Sequence, residues 1–368
     1  MTLEIHPGDI YVVVGLARSG QAAASRLLSG GAVVRVTDTK TADALAEPMR
    51  ALQFQPVAEG GRLEFHLGGH AEAILDGARA LILSPGVPVA SPFIQRALAL
   101  GIPVWSEIEF AYRLLGGIVV GITGSNGKST TTALTAHILQ QAGRRAYAVG
   151  NIGTPLTDYL VHDGPDTIYV TELSSFQLET IETFRPRIAA ILNITPDHLD
   201  RYPSFEDYAA AKWNIFRNMG PKEAGILNGQ DELLRRGKGQ VACPVYEFRS
   251  APAASPAEVR GAGVAGETLY LNTTGEPVPL MAVAEIPLPG RHNLENALVG
   301  ALACHLLGLA PAAIRAGIRS FRALPHRLQP VAEVQRRWYY NDSKATNVDS
   351  TLLAIQSFPQ KLVLILGG

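Results

Sequence analysis

The stretch Gly121-Ile-Thr-Gly-Ser-Asn-Gly-Lys-Ser-Thr130 carries the groups needed to hold a polyphosphate. Gly124 and Gly127, with Ser125 and Asn126 between them, form a tight turn whose backbone N–H groups can point at an anion. Lys128 can reach the outer phosphates, and the Ser129 hydroxyl can ligate Mg²⁺. The usual phosphate-loop pattern has a further glycine where this chain has Ile122. An apolar run from Gly117 to Ile122 reads as the preceding strand, and Lys128 opens a helix that continues through Leu139. The helix dipole adds positive potential at the loop. A plain glycine-rich surface turn is the alternative, but it has no need of Lys-Ser at a helix start.

Other groups with chemical potential follow along the chain. Thr167-Ile-Tyr-Val-Thr-Glu172 reads as a strand with a carboxylate at its end. Glu172 is a magnesium-ligand candidate there, or an exposed strand-end acid. Ala189 to Thr195 reads as a buried strand leading into Pro196-Asp-His-Leu-Asp200, which brings His198 to the same edge. Ser204 caps a helix, with Asp207 at the reciprocal position. Phe205, Tyr208, Ile215, Phe216 and Met219 form its apolar stripe, and Lys212 falls on that stripe. A lysine facing a core needs a partner; a side chain snorkelling at the stripe edge is the other reading. Gly290-Arg-His-Asn-Leu-Glu-Asn296 opens an apolar helix through Leu307 with its polar residues gathered at the start, a pattern that suits a ligand.

Several elements must position these groups. Ile10 to Gly15 reads as a strand, followed by Leu16-Ala-Arg-Ser-Gly20, a helix from Gln21 to Ser29, and a strand from Ala32 to Thr37 with Asp38 at its end. This resembles the start of a dinucleotide fold, with Ala17 in place of the middle glycine. By itself it serves nucleotide binding and plain βαβ packing equally. Strands are also expected at Ala80 to Leu83, Pro103 to Trp105, Ala224 to Asn228 and Trp338 to Tyr340. Glu267 to Met281 reads as a small hairpin, and Pro252 to Gly266, rich in Ala, Pro and Gly, as a mobile loop. The fold class is α/β: a Rossmann-like first domain over 1–107, a phosphate-loop ATPase domain with a mostly parallel sheet over 108–323, and the start of a Rossmann-like third domain over 324–368.

Composition narrows the function. The chain has 368 residues, 47% hydrophobic and 18% charged, with a net charge of −1 and two cysteines, Cys243 and Cys304. That balance argues against nucleic acid and membrane partners and against disulfide or cysteine–metal frameworks. No signal peptide or membrane-length apolar run is evident, so a cytoplasmic enzyme is expected.

Together these motifs resemble the Mur ligase family over essentially the whole chain. Gly124 to Thr130 and Gly290 to Asn296 are similar to motifs shared across such ligases, whereas Thr171 to Glu179, Asn193 to Tyr202 and Asn341 to Asn347 resemble the D-glutamate-adding branch. The resemblance implies three domains, for a uridine nucleotide, ATP and an amino acid. It implies that ATP phosphorylates the carboxylate of UDP-N-acetylmuramoyl-L-alanine and that the amine of D-glutamate attacks the acyl phosphate, with ADP and phosphate released. By the same matching, Gly124, Ser125, Asn126, Gly127, Lys128, Ser129, Thr130, Asn293, Asn296, Arg327 and Asp342 contact ATP. Ser129, Glu172, His198 and a carbamylated Lys212 hold Mg²⁺. Lys344 and Thr346 lie near the acyl phosphate and amino acid, and Lys128, His198, Lys212 and Lys344 are the catalytic set. Asn151, Ser174 and Gln177 face the sugar-peptide, and Leu16, Ala17, Arg18 and Asp38 surround the uridine nucleotide. A monomer is expected.

Three other readings compete: a dinucleotide-dependent oxidoreductase, a nucleotide-binding module without catalysis, and a sister ligase adding another amino acid or extending folate with glutamate. Lys361-Leu-Val-Leu-Ile-Leu366 reads as a strand before a glycine turn. The expectation is therefore a C-terminally truncated chain that folds over 1–323 and does not ligate by itself.

Overall fold

The computed structural model describes residues 3–345, 348–358 and 360–367. Contacts divide the chain into two compact units. The first comprises 1–118, 149–186 and 198–218; the second comprises 119–148, 187–197 and 219–368.

The first unit contains a parallel sheet in the order Arg62–Leu67, Val33–Asp38, Ile10–Val14, Ala78–Leu83, Val104–Ser106. Its central strand is buried at every position after Ile10, because both faces are covered. Tyr11 and Val13 join one buried cluster with Leu27, Leu28 and Phe110, while Val12 and Val14 join another with Leu81, Ile94 and Val104. The helix after the first strand runs Arg18–Ser29, so it starts earlier than Gln21. It begins directly at the loop because Gly15, at φ 89°, turns the chain, and a Cβ on Gly20 would lie 2.0 Å from the Gly15 carbonyl oxygen. This unit also holds the strand Ile168–Glu172 and the helix Phe205–Trp213. Ser204 caps that helix as the sequence implies, its Oγ accepting the Asp207 N–H at 3.1 Å.

In the second unit seven strands follow the order Val278–Ala282, Thr268–Asn272, Gly261–Ala265, Val245–Ala253, Ala224–Asn228, Ile188–Ile191, Ile118–Thr123. The last five are parallel, and the hairpin of the first two adds antiparallel edges. The helices Lys128–Gln141 and Arg291–Leu306 pack together at small residues: a Cβ on Gly300 would meet Thr135 Oγ1 at 3.3 Å.

Two expectations are corrected here. Pro252 to Gly266 is not one continuous loop: the strand Val245–Ala253 runs into it, and its second part, Gly261–Ala265, is a strand that pairs with Glu247–Ala253, leaving 254–260 as the connection. Its small residues mark close approach, since a Cβ on Gly261 would lie 2.0 Å from the Glu247 carbonyl oxygen. Leu362 to Leu366 has strand composition, yet residues 361–367 form no ladder and these side chains are exposed. Strand propensity yields a strand only with a neighbour to accept its hydrogen bonds. Near the C-terminal end the described residues form an antiparallel hairpin, Gln329–Val334 with Arg337–Asn341, and a helix, Val348–Gln356. Among the described residues no helix is long and apolar enough to cross a membrane.

Candidate functional site

The second unit builds a phosphate cradle. Gly124 adopts φ 152° and Gly127 adopts φ 86°, so the turn needs glycine at both positions. A neighbouring segment locks the loop. The Asn126 N–H donates to Asn193 Oδ1 at 2.8 Å, Asn193 Nδ2 donates to the Asn126 carbonyl at 3.1 Å, and Ser125 Oγ donates to the Thr195 carbonyl at 2.9 Å. Lys128 Nζ folds back onto the carbonyls of Gly124 and Ser125, at 2.9 and 2.8 Å. Thr130 is buried beneath the loop.

The polar start of the helix Arg291–Leu306 meets the loop from the side. Asn296 Oδ1 accepts from Thr131 Oγ1 at 2.9 Å, and its Nδ2 donates to Asn293 Oδ1 at 3.1 Å. Both asparagines are buried, which fits their placement against a ligand cavity rather than solvent. The Leu324–Leu328 turn is strained: His326 and Leu328 adopt positive φ, an outlier for leucine. Asp342 Oδ1 pins it by accepting the Leu328 N–H at 2.9 Å, and burial holds the Asp342 pKa above the ordinary carboxylate range. The strained turn presents Arg327, whose Nη2 donates to Ser129 Oγ at 2.9 Å. Asn126, Gly127, Asn293, Asn296, Arg327 and Asp342 line one cavity of about 520 Å³, the size class of a nucleotide site. Lys344 is exposed, its N–H bonded to the His326 carbonyl, and Thr346 lies outside the described residues.

The first unit holds Glu172, His198 and Lys212, although no cluster of three or more His, Cys, Asp or Glu side chains is gathered for a metal ion among the described residues. Glu172 is 2% exposed, which removes the reading of a solvated strand-end acid. Its Oε1 accepts from Asn151 Nδ2 at 3.0 Å, while Oε2 is buried with no hydrogen-bond partner among the described residues. An orphaned carboxylate oxygen is costly and suits a cation. Lys212 is also 2% exposed, so the snorkelling alternative is corrected: its Nζ lies 4.6 Å from the centre of the Tyr208 ring. His198 is exposed, with its ring 5.0 Å from Phe176 and 6.3 Å from Tyr208. Tyr208 is thus a neighbour of both His198 and Lys212. These donors fit a hard divalent ion provided that Lys212 supplies oxygen, because its amine form is a cation. Ser129, the fourth expected ligand, belongs to the second unit.

Ser174 and Gln177 are engaged with each other in a capping box, the Ser174 N–H donating to Gln177 Oε1 and the Gln177 N–H to Ser174 Oγ. Asp38 is committed to the backbone around it, accepting the N–H of Leu16 at 2.8 Å and of Lys40 at 2.9 Å. The Leu16 side chain is buried in the core, so only its backbone is offered to a ligand. Ala17 caps the helix without a side-chain bond and leaves its first N–H groups available. Arg18 is exposed and donates to the Gly153 carbonyl at 3.2 Å.

Sequence reasoning did not single out Asn193 as a site residue. Its signal was position, since it lies in the stretch 189–195 expected as a buried strand, and the observed strand ends at Ile191, just before it.

Comparisons with known proteins identify the family. Residues 122–304 match the Mur ligase middle domain, and residues 9–106 match a Mur ligase MurD-like N-terminal domain. The chain is 44% identical to the UDP-N-acetylmuramoylalanine–D-glutamate ligase of Anaeromyxobacter dehalogenans, covering 98% of this chain and 78% of that one. It is 41% identical to the ligase of the same name from Geobacillus kaustophilus, covering 97% and 76%. Among solved structures, the UDP-N-acetylmuramate–alanine ligase of Thermotoga maritima superposes with a TM-score of 0.53 at 21% identity, covering 95% of this chain and 77% of that one, a likeness of fold. With its phosphate cradle, its nucleotide-sized cavity and relatives this similar over nearly its full length, the chain belongs to the Mur ligase family.

Proposed function

We propose that the protein is an ATP-dependent ligase that adds D-glutamate to UDP-N-acetylmuramoyl-L-alanine in peptidoglycan precursor synthesis. The observation that carries this reading is the phosphate cradle, with Arg327 on Ser129 at the cavity wall, in a chain 44% identical to a ligase named for that reaction.

In this reading the loop amides and Lys128 bind the phosphates of ATP, and Asn293, Asn296, Arg327 and Asp342 hold the rest of the nucleotide. The backbone at Leu16 and Ala17, with Arg18 and Asp38, holds the uridine nucleotide. Asn151, Ser174 and Gln177 face the sugar-peptide, and Lys344 and Thr346 attend the amino acid. The γ-phosphoryl group passes to the alanine carboxylate and ADP leaves. The D-glutamate amine then attacks the acyl carbon, and phosphate leaves with the bonding electrons. Lys128 and Arg327 offset the negative charge that accumulates on the transferred group.

Ser129, Glu172, His198 and Lys212 would hold Mg²⁺, which supplies further charge neutralisation at the phosphoryl oxygens. Lys212 serves as a carbamate, its amine joined to CO₂ with loss of a proton. This turns a buried cation into an oxygen ligand, and Glu172 of the same unit has a buried carboxylate oxygen with no hydrogen-bond partner among the described residues. Domains at 1–107, 108–323 and from 324 onward divide the three substrates, and the enzyme works in the cytoplasm as a monomer.

The test is product identity. Turnover should release ADP and phosphate; AMP and pyrophosphate as main products would exclude acyl-phosphate chemistry.

A further inference from the structure

Arg201 holds more structure than a surface arginine needs. Its Nη1 donates to the Pro85 carbonyl at 2.8 Å and its Nη2 to the Val87 carbonyl at 3.0 Å. The same guanidinium stacks 3.9 Å from the centre of the Phe176 ring. All of these residues belong to the first unit.

Each partner leads to a part of the proposed site. The 84–87 turn lies against the start of the nucleotide loop: Ser84 Oγ donates to the Gly15 carbonyl at 2.8 Å, and the Val87 N–H donates to the Ser84 carbonyl at 3.0 Å. Phe176 lies within the short capped helix between Ser174 and Gln177, and its other neighbours are the rings of His198, at 5.0 Å, and Tyr202, at 5.7 Å. Arg201 also closes the turn that carries His198. The Arg201 and Tyr202 N–H groups both donate to the His198 carbonyl, at 3.0 and 3.2 Å, and hold His198 at φ 53°. Positive φ in a histidine persists only where its surroundings enforce it.

We propose that Arg201 is a positioning residue that couples nucleotide occupancy at Gly15–Arg18 to the orientation of His198, through the 84–87 turn and the Phe176 ring. A planar fork is required: two carbonyls on one edge and an aromatic face on the plane are contacts that a lysine ammonium cannot make together. The proposal rests on the uridine-nucleotide reading of the 15–18 loop.

The test uses ring NMR of the full chain labelled at histidine, with the His198 signal assigned from His198→Gln and UMP as the probe. In the wild type, saturating UMP should move the His198 signal. In Arg201→Met and Arg201→Lys the movement should be at least about fivefold smaller, while UMP affinity changes less than about threefold. Retained UMP affinity shows that the first unit of each variant is folded. Equal movement in wild type and variants, or an unmoved His198 in UMP-saturated wild type, would overturn the proposal. Failure of the wild type to bind UMP would instead overturn the nucleotide-loop reading, and the coupling with it.

Discussion

Glu107 offers a prediction whose size follows from its surroundings. It opens the helix Glu107–Tyr112, capped by Ser106, and is 1% exposed. Its Oε1 accepts from the N–H of Thr157 at 2.7 Å and from the Thr157 hydroxyl at 2.6 Å, while Oε2 is buried without a hydrogen-bond partner among the described residues. Burial disfavours the charged form and outweighs the two Thr157 bonds, raising the pKa from its ordinary 4.5 to about 7. Between those values the native state binds a proton that the unfolded state releases. The stability tied to the proton is therefore complete below pH 4.5 and is lost as pH rises through about 7. At about 1.4 kcal/mol per tenfold change in proton affinity, the whole effect is about 3 kcal/mol, most of it lost between about pH 5 and pH 8.

Glu107→Gln keeps an oxygen for Thr157 and removes the titration. It also buries an amide N–H₂ in place of Oε2, a cost of about 1–3 kcal/mol that does not vary with pH. Urea unfolding followed by tryptophan fluorescence, at intervals across that range, gives the difference between the two proteins. Wild type should be favoured most at the acid end, and its advantage should shrink by about 2–3 kcal/mol toward the alkaline end. A difference that stays constant with pH would refute the reasoning, because it would mean that Glu107 titrates alike in both states.

Other perturbations probe the two groups of site residues. Lys212→Ala should remain folded and lose most activity, with partial rescue by short carboxylic acids; ¹³C-labelled CO₂ should give a carbamate signal in the wild type and none in the variant. Arg327→Met should weaken ADP binding by about tenfold or more, the value of one charge-assisted hydrogen bond, and leave UMP binding unchanged by calorimetry. Gly127→Ala should abolish ADP binding, since its Cβ would lie 2.6 Å from Asn296 Oδ1 and the left-handed backbone adds a further cost of about 1 kcal/mol. Normal ADP affinity in that variant would mean that the turn is not the cradle.

The legible parts were those where local chemistry and tertiary structure agree. Glycines at 124 and 127 are required by the backbone itself, and Ser204 caps the helix that its spacing with Asp207 implies. Lys212 was conspicuous because a charge on an apolar stripe is expensive, and its burial follows from the same pattern. The Gly-rich 252–266 stretch misled because small residues serve both loops and close-packed strands. Only the contact of Gly261 with Glu247 distinguishes the two. The apolar run at 362–366 misled in the opposite direction, as strand formation depends on partners that no local pattern records. Arg201 was invisible for a related reason: its partners, Pro85, Val87 and Phe176, are distant in sequence and two of them contribute only backbone carbonyls.

The central claim is the ligation itself, and the most direct measurement, made on the ligase at the full length of the relatives it matches, is amino-acid-dependent ADP release with UDP-N-acetylmuramoyl-L-alanine as the acceptor. The account predicts release with D-glutamate, dependent on Mg²⁺, and little or none with L-glutamate or other amino acids. Equal or greater release with another amino acid would contradict it, as would ADP release indifferent to the UDP-linked acceptor.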